Sequence, residues 1–327
     1  MMNIEKEIIT GLAVVIPCYK VKRHILDVIK SVPPIVEKIY VVDDCCPDKS
    51  GEFIREHNKD LRVQLIFNEK NKGVGGAVMA GYSAAIKENM FIAVKIDGDG
   101  QMDPSLIYEF IEPILQGEAD YTKGNRFYNL EEIHQMPKIR LIGNAILSLM
   151  NKLSSGYWDI FDPTNGYTAV HVDILRKMPF GKISERYFFE SDMLFRLNTL
   201  RAKVVDIPMD AHYSDEESHL KIGNVIGDFI KKNIRNTFKR IFYNYYLRDM
   251  SIASVELVIG SSMLFFGACY GSYHWIKSAQ DGIATPTGTV MLAVLPIVIG
   301  VQLLLSFLAY DIENVPRRRI HKRPLKK

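Results

Sequence analysis

Residues 91–104 read FIAVKIDGDGQMDP, and the reading of this stretch decides the fold. Residues 91–96 are an apolar run of the kind that forms a buried parallel strand. The run stops at Asp97 and Asp99, which are separated by Gly98 and followed by Gly100. The two glycines permit a sharp turn. Asp103 and Pro104 then have the character of an N-cap and a first helical residue. Two carboxylates at the carboxyl end of a sheet strand stand where open α/β sheets bind ligands. Their natural counterpart is a hard divalent cation, Mg²⁺ or Mn²⁺, which takes oxygen ligands and shares them with substrate phosphates. The competing reading is an acidic turn that caps a helix and binds nothing.

Upstream of this stretch the chain alternates strand and helix. Strands are expected at residues 12–17, 38–42 and 62–67, with helical segments at 22–32 and 51–58. A glycine-rich turn at 71–77 (NKGVGGA) runs into a helix ending near Lys87. That turn resembles a dinucleotide fingerprint only weakly, since it follows its strand too late. It either lets a helix approach the sheet closely or faces backbone amides toward a nucleotide. Alternation of strands with helices of this length means a parallel, doubly wound α/β sheet. Three strands end in polar loops, at Cys18-Tyr19-Lys20, at Asp43-Asp44 and at Asp97–Asp99. In such a sheet these loops converge on one crevice. Convergence favours the metal reading of the aspartate pair.

Downstream, residues 121–127 read as a short strand carrying Arg126, and 136–153 as a helix with Arg140 and Asn144 on one face. Residues 161–170 (FDPTNGYTAV) are a turn leading into a strand. Residues 187–200 read as a helix with Glu190 and Asp192 near its start, where acids also complement the helix dipole.

The chain has 327 residues, 24% of them charged, and a formal net charge of +3, which argues against a general nucleic-acid binder. Its four cysteines show no metal spacing and read as free thiols in a reducing compartment. The N-terminal residues 1–11 are too polar for a signal peptide, so the first domain is expected in the cytosol. Residues 222–248 differ in kind. Apolar Ile226, Ile230, Ile234, Phe238 and Phe242 alternate with Lys231, Lys232, Arg235, Lys239 and Arg240. This is a basic amphipathic helix suited to an anionic membrane face. Residues 252–273 form a 22-residue apolar run with one charge, Glu256, and 290–310 form a 21-residue run with none. Each is long enough to span a bilayer. Basic residues crowd the far sides of both, including seven Lys/Arg among the last eleven residues. The positive-inside rule then puts both termini and the catalytic domain in the cytosol and the loop 274–289 outside. The expected organisation is a catalytic domain at 1–221, an amphipathic helix at 222–250, a transmembrane hairpin at 251–310 and a basic tail at 311–327.

Taken together, these motifs resemble glycosyltransferase family 2, of GT-A fold, and within it the polyprenyl-phosphate glycosyltransferases such as dolichol-phosphate mannose synthase. The resemblance covers residues 10–240 and rests on several ordered segments. VVIPCYK (14–20) matches the family's first-strand motif, with Lys20 and Val21 in place of Asn-Glu. VVDDCCPDKS (41–50) matches the segment whose second aspartate, here Asp44, is expected at the nucleobase. NKGVGGA matches the Asn-x-Gly segment lining the nucleotide site, and DGDGQMDP matches the metal-binding segment, Gln101 included. KGNRF, Arg140 with Asn144, and DPTNGYTAV match later family segments. After Pro208 the family often carries a basic loop. Here residues 210–222 are acidic first, leaving His212, His219 and Lys221 as possible phosphate contacts. The Gln-x-x-Arg-Trp signature of processive polysaccharide synthases is absent.

The resemblance implies an inverting enzyme that takes its sugar from a UDP-, GDP- or dTDP-linked donor. Pro17, Tyr19, Asp44, Asn71, Gly73, Gly98 and Gln101 would line the donor site, and Asp97 and Asp99 would hold Mg²⁺ or Mn²⁺. The implied acceptor is a polyprenyl phosphate at the cytosolic face of a bacterial inner membrane. Arg126 and Arg140 would compensate its charge. If the acceptor were instead a hydroxyl of a lipid-linked saccharide or surface glycan precursor, it would need a base, for which Asp192 or Asp162 could serve. A rival of another class is a non-catalytic membrane scaffold retaining a GT-A domain. A soluble nucleotidyltransferase is disfavoured by the two apolar spans. Those spans leave apolar sides that could support a homo-oligomer, although no motif specifies one.

Overall fold

In a computed structural model of the chain, the described residues are 10–128, 138–210 and 222–321, without the side chains of 138–142, 144 and 222–226. Among them seven strands form one sheet: β1 (Leu12–Cys18), β2 (Lys38–Asp43), β3 (Val63–Phe67), β4 (Ile92–Lys95), β5 (Tyr121–Asn125), β6 (Thr168–His171) and β7 (Val204–Pro208). Their order is β3-β2-β1-β4-β6-β5-β7. β3, β2, β1 and β4 run parallel. β6 is antiparallel to both β4 and β5, and β7 returns parallel to β5. The sheet is therefore mostly parallel, with one reversed strand in its interior.

The central strands are buried on both faces, which is why β1 and β4 read as apolar runs rather than alternating ones. Below the sheet, Val14, Ile16, Val41 and Val94 pack with Ile107, Phe110 and Ile111 of the segment that follows Pro104. Each such fully buried side chain contributes about 1.5–3 kcal/mol relative to exposure. Phe110 stacks on Tyr167 at 3.9 Å and 11°. On the other face lies helix α3 (Val74–Lys87). Its Gly81 presents no side chain toward Val15, so helix and strand approach closely. β7 escapes the sequence reading because Asp206 interrupts its short apolar run and Pro208 closes it.

The chain divides into two compact units, Met1–Thr237 with Pro316–Lys327, and Phe238–Val315. Residues 316–321, which the sequence groups with a basic tail, dock in the first unit. Asp120, fully buried, accepts hydrogen bonds from Ile320 N (3.0 Å), His321 N (2.9 Å), His321 Nδ1 (2.7 Å) and Lys203 N (2.8 Å). The His321 ring stacks on His171 with centroids 4.3 Å apart.

In the second unit, helices Ile252–Asp281 and Thr287–Glu313 are long and apolar enough to cross a membrane. Only 22% and 17% of their apolar windows are buried, unlike the core helices of a soluble protein. They pack closely where Gly260 meets Gly300 and Gly267 meets Ala293, the use small residues have between membrane helices. The first helix runs on to Asp281, so the loop expected at 274–289 is shorter. Arg240 and Asp311, both nearly fully buried, pair at 2.6 Å, and Tyr245 Oη also donates to Asp311.

Helix Ile222–Phe242 has an unusual distribution. Its buried stripe is polar, with Asn233, Asn236 and Arg240 at 1–2% exposure. Its exposed stripe is apolar, with Ile234 at 51%, Phe238 at 71% and Phe242 at 58%. The polar stripe has partners: Ser154 Oγ donates to Asn233 Oδ1 (2.6 Å), and Asn236 Nδ2 donates to Asp192 Oδ1 (2.9 Å). An apolar stripe turned outward marks an interaction surface.

Candidate active site

A cleft of about 850 Å³ opens at the carboxyl ends of β1, β2 and β4. The crossover connections of parallel strands place three loop tips there together. Of the residues read from sequence as donor-site candidates, Pro17, Tyr19, Asp44, Asn71, Gly73, Asp97, Gly98 and Asp99 line this cleft. Gln101 does not. Its backbone amide instead donates to Asp99 Oδ1 (3.0 Å), which folds the turn after β4.

Asp44 organises one side of the cleft. Its carboxylate accepts from Asn68 Nδ2 (2.8 Å), Lys72 N (2.9 Å) and Gly73 N (2.7 Å). Asn71 Nδ2 also donates to the Asp44 carbonyl (3.2 Å). The loop before α3 is thereby tied to the end of β2. Gly73 sits at φ +85, where glycine carries no steric penalty, and a Cβ there would stand 2.9 Å from Arg186 Cγ and from Glu185 O. Gly76 N donates to Glu185 O (2.9 Å). The glycine turn thus packs against residues 184–189, which form the facing wall. The amides of Lys72, Gly73 and Gly76 are thus engaged by Asp44 and Glu185, and the close approach to β1 is made further along the same helix, at Gly81. Asp43, by contrast, is structural, accepting from Cys46 N (2.7 Å) and Gly51 N (2.6 Å) at the start of the next helix.

On the other side, Asp97 Oδ1 lies 3.0 Å from Lys95 Nζ, and the same ammonium lies 3.2 Å from Glu190 Oε1. Lys95 is buried. Burial alone would lower its pKa, but Asp97 and Glu190 beside it hold the ammonium above the usual lysine range. Gly166 leaves room for this cluster, since a side chain there would meet Lys95 Nζ and Asp97 Oδ2. A second buried lysine, Lys123, donates to the Asn165 carbonyl, and burial pulls its pKa down to about 8.

The other candidates stand differently. Arg126 grips Asp162 with Nε at 2.7 Å and Nη2 at 3.1 Å, and Asp162 is fully buried. Neither lines the cleft. Asp192, 1% exposed, accepts from Ser184 N (2.9 Å), Asn236 Nδ2 (2.9 Å) and the Arg196 guanidinium (3.3 Å). It too is absent from the cleft lining. Arg140 and Asn144 belong to helix Lys138–Ser155, but their side chains lie outside the described residues, as do His212, His219 and Lys221. Sequence reasoning missed Lys95, Arg186 and Tyr187 as site residues, and read Glu190 only as a dipole partner. The signal for Lys95 was there, a lone charge inside an apolar strand, where an unpaired ammonium would be costly.

Among the described residues no three His, Cys, Asp or Glu form a metal cage. A two-carboxylate set still fits Mg²⁺ or Mn²⁺, because such ions keep waters and take remaining ligands from phosphate. Asp97 and Asp99 offer oxygen donors on a glycine-flexed turn inside the cleft, which is the donor set these ions prefer.

A mostly parallel sheet with an acidic pair after β4, facing a glycine turn across a nucleotide-sized cleft, defines a glycosyltransferase of GT-A fold. The chain belongs to glycosyl transferase family 2, whose pattern matches residues 13–178, just over half of its length. It is 28% identical over 215 residues to UDP-N-acetylglucosamine--dolichyl-phosphate N-acetylglucosaminyltransferase of Methanococcus voltae, covering 62% of this chain and 85% of that one. It is 26% identical over 194 residues to undecaprenyl-phosphate mannosyltransferase of Micrococcus luteus, covering 59% and 79%. Among solved structures, glucosyl-3-phosphoglycerate synthase from Mycobacterium tuberculosis, in complex with Mn²⁺, UDP-glucose and phosphoglyceric acid, aligns with a TM-score of 0.52 at 17% identity. That alignment covers 70% of this chain and 79% of the other, and the likeness is one of fold. The family, fold and enzyme class read from the motifs are borne out.

Proposed function

We propose that this enzyme transfers a sugar, with inversion, from a UDP-, GDP- or dTDP-linked donor to a polyprenyl phosphate at the cytosolic face of the membrane. The observation that carries the reading is the union, in one chain, of an aspartate-bearing cleft with two membrane-length helices. The activities named for the Methanococcus and Micrococcus relatives, both on polyprenyl-type phosphates, support it.

The donor nucleoside would lie along Asp44, Asn71 and Gly73, with its diphosphate toward Asp97 and Asp99. A Mg²⁺ or Mn²⁺ held by those two carboxylates would neutralise charge on the departing nucleoside diphosphate. Lys95 pairs with the Asp97 carboxylate and fixes its orientation. The acceptor phosphate has a second pKa of about 6 and is largely dianionic at neutral pH. One of its oxygens forms the bond to the anomeric carbon while the bond to the diphosphate breaks, and the electron pair leaves with the nucleotide. No proton need be removed. This agrees with Asp162 and Asp192 being engaged by Arg126, Ser184, Arg196 and Asn236. The outward apolar stripe of Ile234, Phe238 and Phe242, flanked by exposed Lys231, Arg235 and Lys239, suits the interface of an anionic leaflet. Positive residues on the far sides of both spans favour cytosolic termini.

The test uses full-length protein in nanodiscs with Mg²⁺ or Mn²⁺, labelled nucleotide sugars and undecaprenyl phosphate. Label in an organic-extractable, mild-acid-labile lipid, lost in Asp99→Ala, is the expected result. Consumption of donor only with membrane extract, and never with the pure lipid phosphate, would overturn it in favour of a hydroxyl acceptor.

A further inference from the structure

Two cations in the cleft have no role in the mechanism so far, Lys20 and Arg186. Both are exposed, and among the described residues neither side chain forms a hydrogen bond or ion pair. The acids around them are already engaged, Asp44 by three donors and Asp97 by Lys95.

Both cations are held from behind. Lys20 adopts φ +59, and its amide donates to the buried Cys46 Sγ (3.1 Å). Non-glycine residues rarely adopt a left-handed backbone, so the loop holds this lysine against its local preference. Arg186 is presented by a fixed loop. Ser184 N donates to Asp192, Glu185 O accepts from Gly76, and Phe188 and Phe189 are buried directly behind it. The Arg186 stem lies across Gly73, where only a hydrogen leaves room for it. Asp192 is itself locked by Arg196 and Asn236. Lys20 Nζ also lies 5.8 Å from the Tyr19 ring centroid. Cations free of acid partners and carried into a concave site by held backbone attract an anion, and the guanidinium fork matches phosphoryl oxygens.

Resting on the reaction above, we propose that Arg186 and Lys20 bind phosphoryl oxygens of a substrate in this cleft, and that Asp192 is the positioning residue for the loop that presents Arg186. The oxyanion is that of the donor diphosphate or of the acceptor monoester, which share one chemistry.

The experiment takes full-length protein in detergent with Mn²⁺ and the tightest binder among UDP, GDP and dTDP. Its Kd, the Kd of the matching nucleoside, and the KM for a short-chain, water-soluble isoprenyl phosphate are measured for Arg186→Ala, Arg186→Lys and Lys20→Ala. Loss of one charged hydrogen bond should raise the diphosphate Kd or the acceptor KM by about ten-fold or more in the alanine variants, less in Arg186→Lys, while the nucleoside Kd stays within about two-fold. A change in the diphosphate arm assigns the donor, and a change in the acceptor arm assigns the acceptor. Asp192→Asn should move the same quantity and add little in an Arg186→Ala background, whereas a purely structural role would weaken all ligands in both backgrounds. The proposal is overturned if both arms stay within about two-fold, or if nucleoside binding falls as far as diphosphate binding. Should the parent bind nucleotide yet label no lipid phosphate, the acceptor assignment above fails while the diphosphate arm still decides the role of Arg186.

Discussion

The Lys95 ammonium bridges Asp97 and Glu190, at 3.0 and 3.2 Å, from a position 1% exposed inside the central strand. One residue on the strand thus fixes a carboxylate of the cleft and ties it to helix Phe189–Thr199. Removing the lysine strands the nearly buried Glu190 carboxylate, while Asp97 keeps the cleft's solvent. Breaking a buried pair in this way costs about 3–5 kcal/mol. Lys95→Met should therefore lower thermal stability and also weaken Mn²⁺-dependent nucleotide binding, read by calorimetry. Since the ammonium is held above its usual range, its contribution is present below the ordinary lysine pKa and should be level between pH 6 and 9. A stability loss that varied strongly over that window would contradict the assignment.

Gly73→Ala combines a positive φ with a Cβ 2.9 Å from Arg186 and Glu185. The strain, about 1–3 kcal/mol, falls on the turn pinned by Asp44. The variant should fold, with a small drop in Tm, yet bind nucleoside diphosphate about ten-fold or more weakly. Unchanged affinity would mean that this wall does not touch the donor.

Asp192→Asn loses an acceptor that serves Ser184, Asn236 and Arg196. Leaving buried donors unsatisfied costs about 1–3 kcal/mol each. The variant should show a lowered Tm, and its pH-rate profile should keep its shape. Loss of an acidic-limb pKa without loss of stability would instead point to a general-base role.

Asp206 gives a pH signature. Burial pushes its carboxyl up to about 6, with Phe161 N on Oδ2 (2.8 Å) and no partner for Oδ1 among the described residues. An unfolded aspartate titrates near 3.9, so between about pH 4 and 6 the folded chain holds the extra proton and stability falls as pH rises. Asp206→Asn should raise stability at pH 7.5 by about 1–3 kcal/mol and give no gain at pH 4. Denaturation at the two pH values separates this from a packing effect, which would be the same at both.

The parallel half of the sheet was legible because its strands are buried on both faces and end at turn residues. The motif loops after β1, β2 and β4 were legible for the same reason, and eight donor-site candidates do share one cleft. What stayed hidden depends on partners distant in sequence. Asp192 and Asp162 look like free acids until Asn236 and Arg126 are placed beside them. β7 carries a half-buried acid at its centre and so lacks a strand's pattern. The amphipathic helix was recognised, but not that Asn233 and Asn236 face inward and Phe238 and Phe242 outward.

The docking of residues 316–321 on Asp120 sets an order of assembly. His321 lies 201 positions after the carboxylate it satisfies. Burial pushes the Asp120 carboxyl up, and the bonds from His321, Lys203 and Ile320 more than reverse this, holding it below the usual range. During synthesis the sheet is complete long before those donors leave the ribosome, and they do so only after both apolar helices. Until then the nascent domain carries a buried charge lacking most of its compensation, and closing so long a loop has its own entropic cost. The catalytic domain therefore reaches its final stability only once the downstream helices have been made. A chain stopped before residue 316 would display an intact cleft on an unfinished domain.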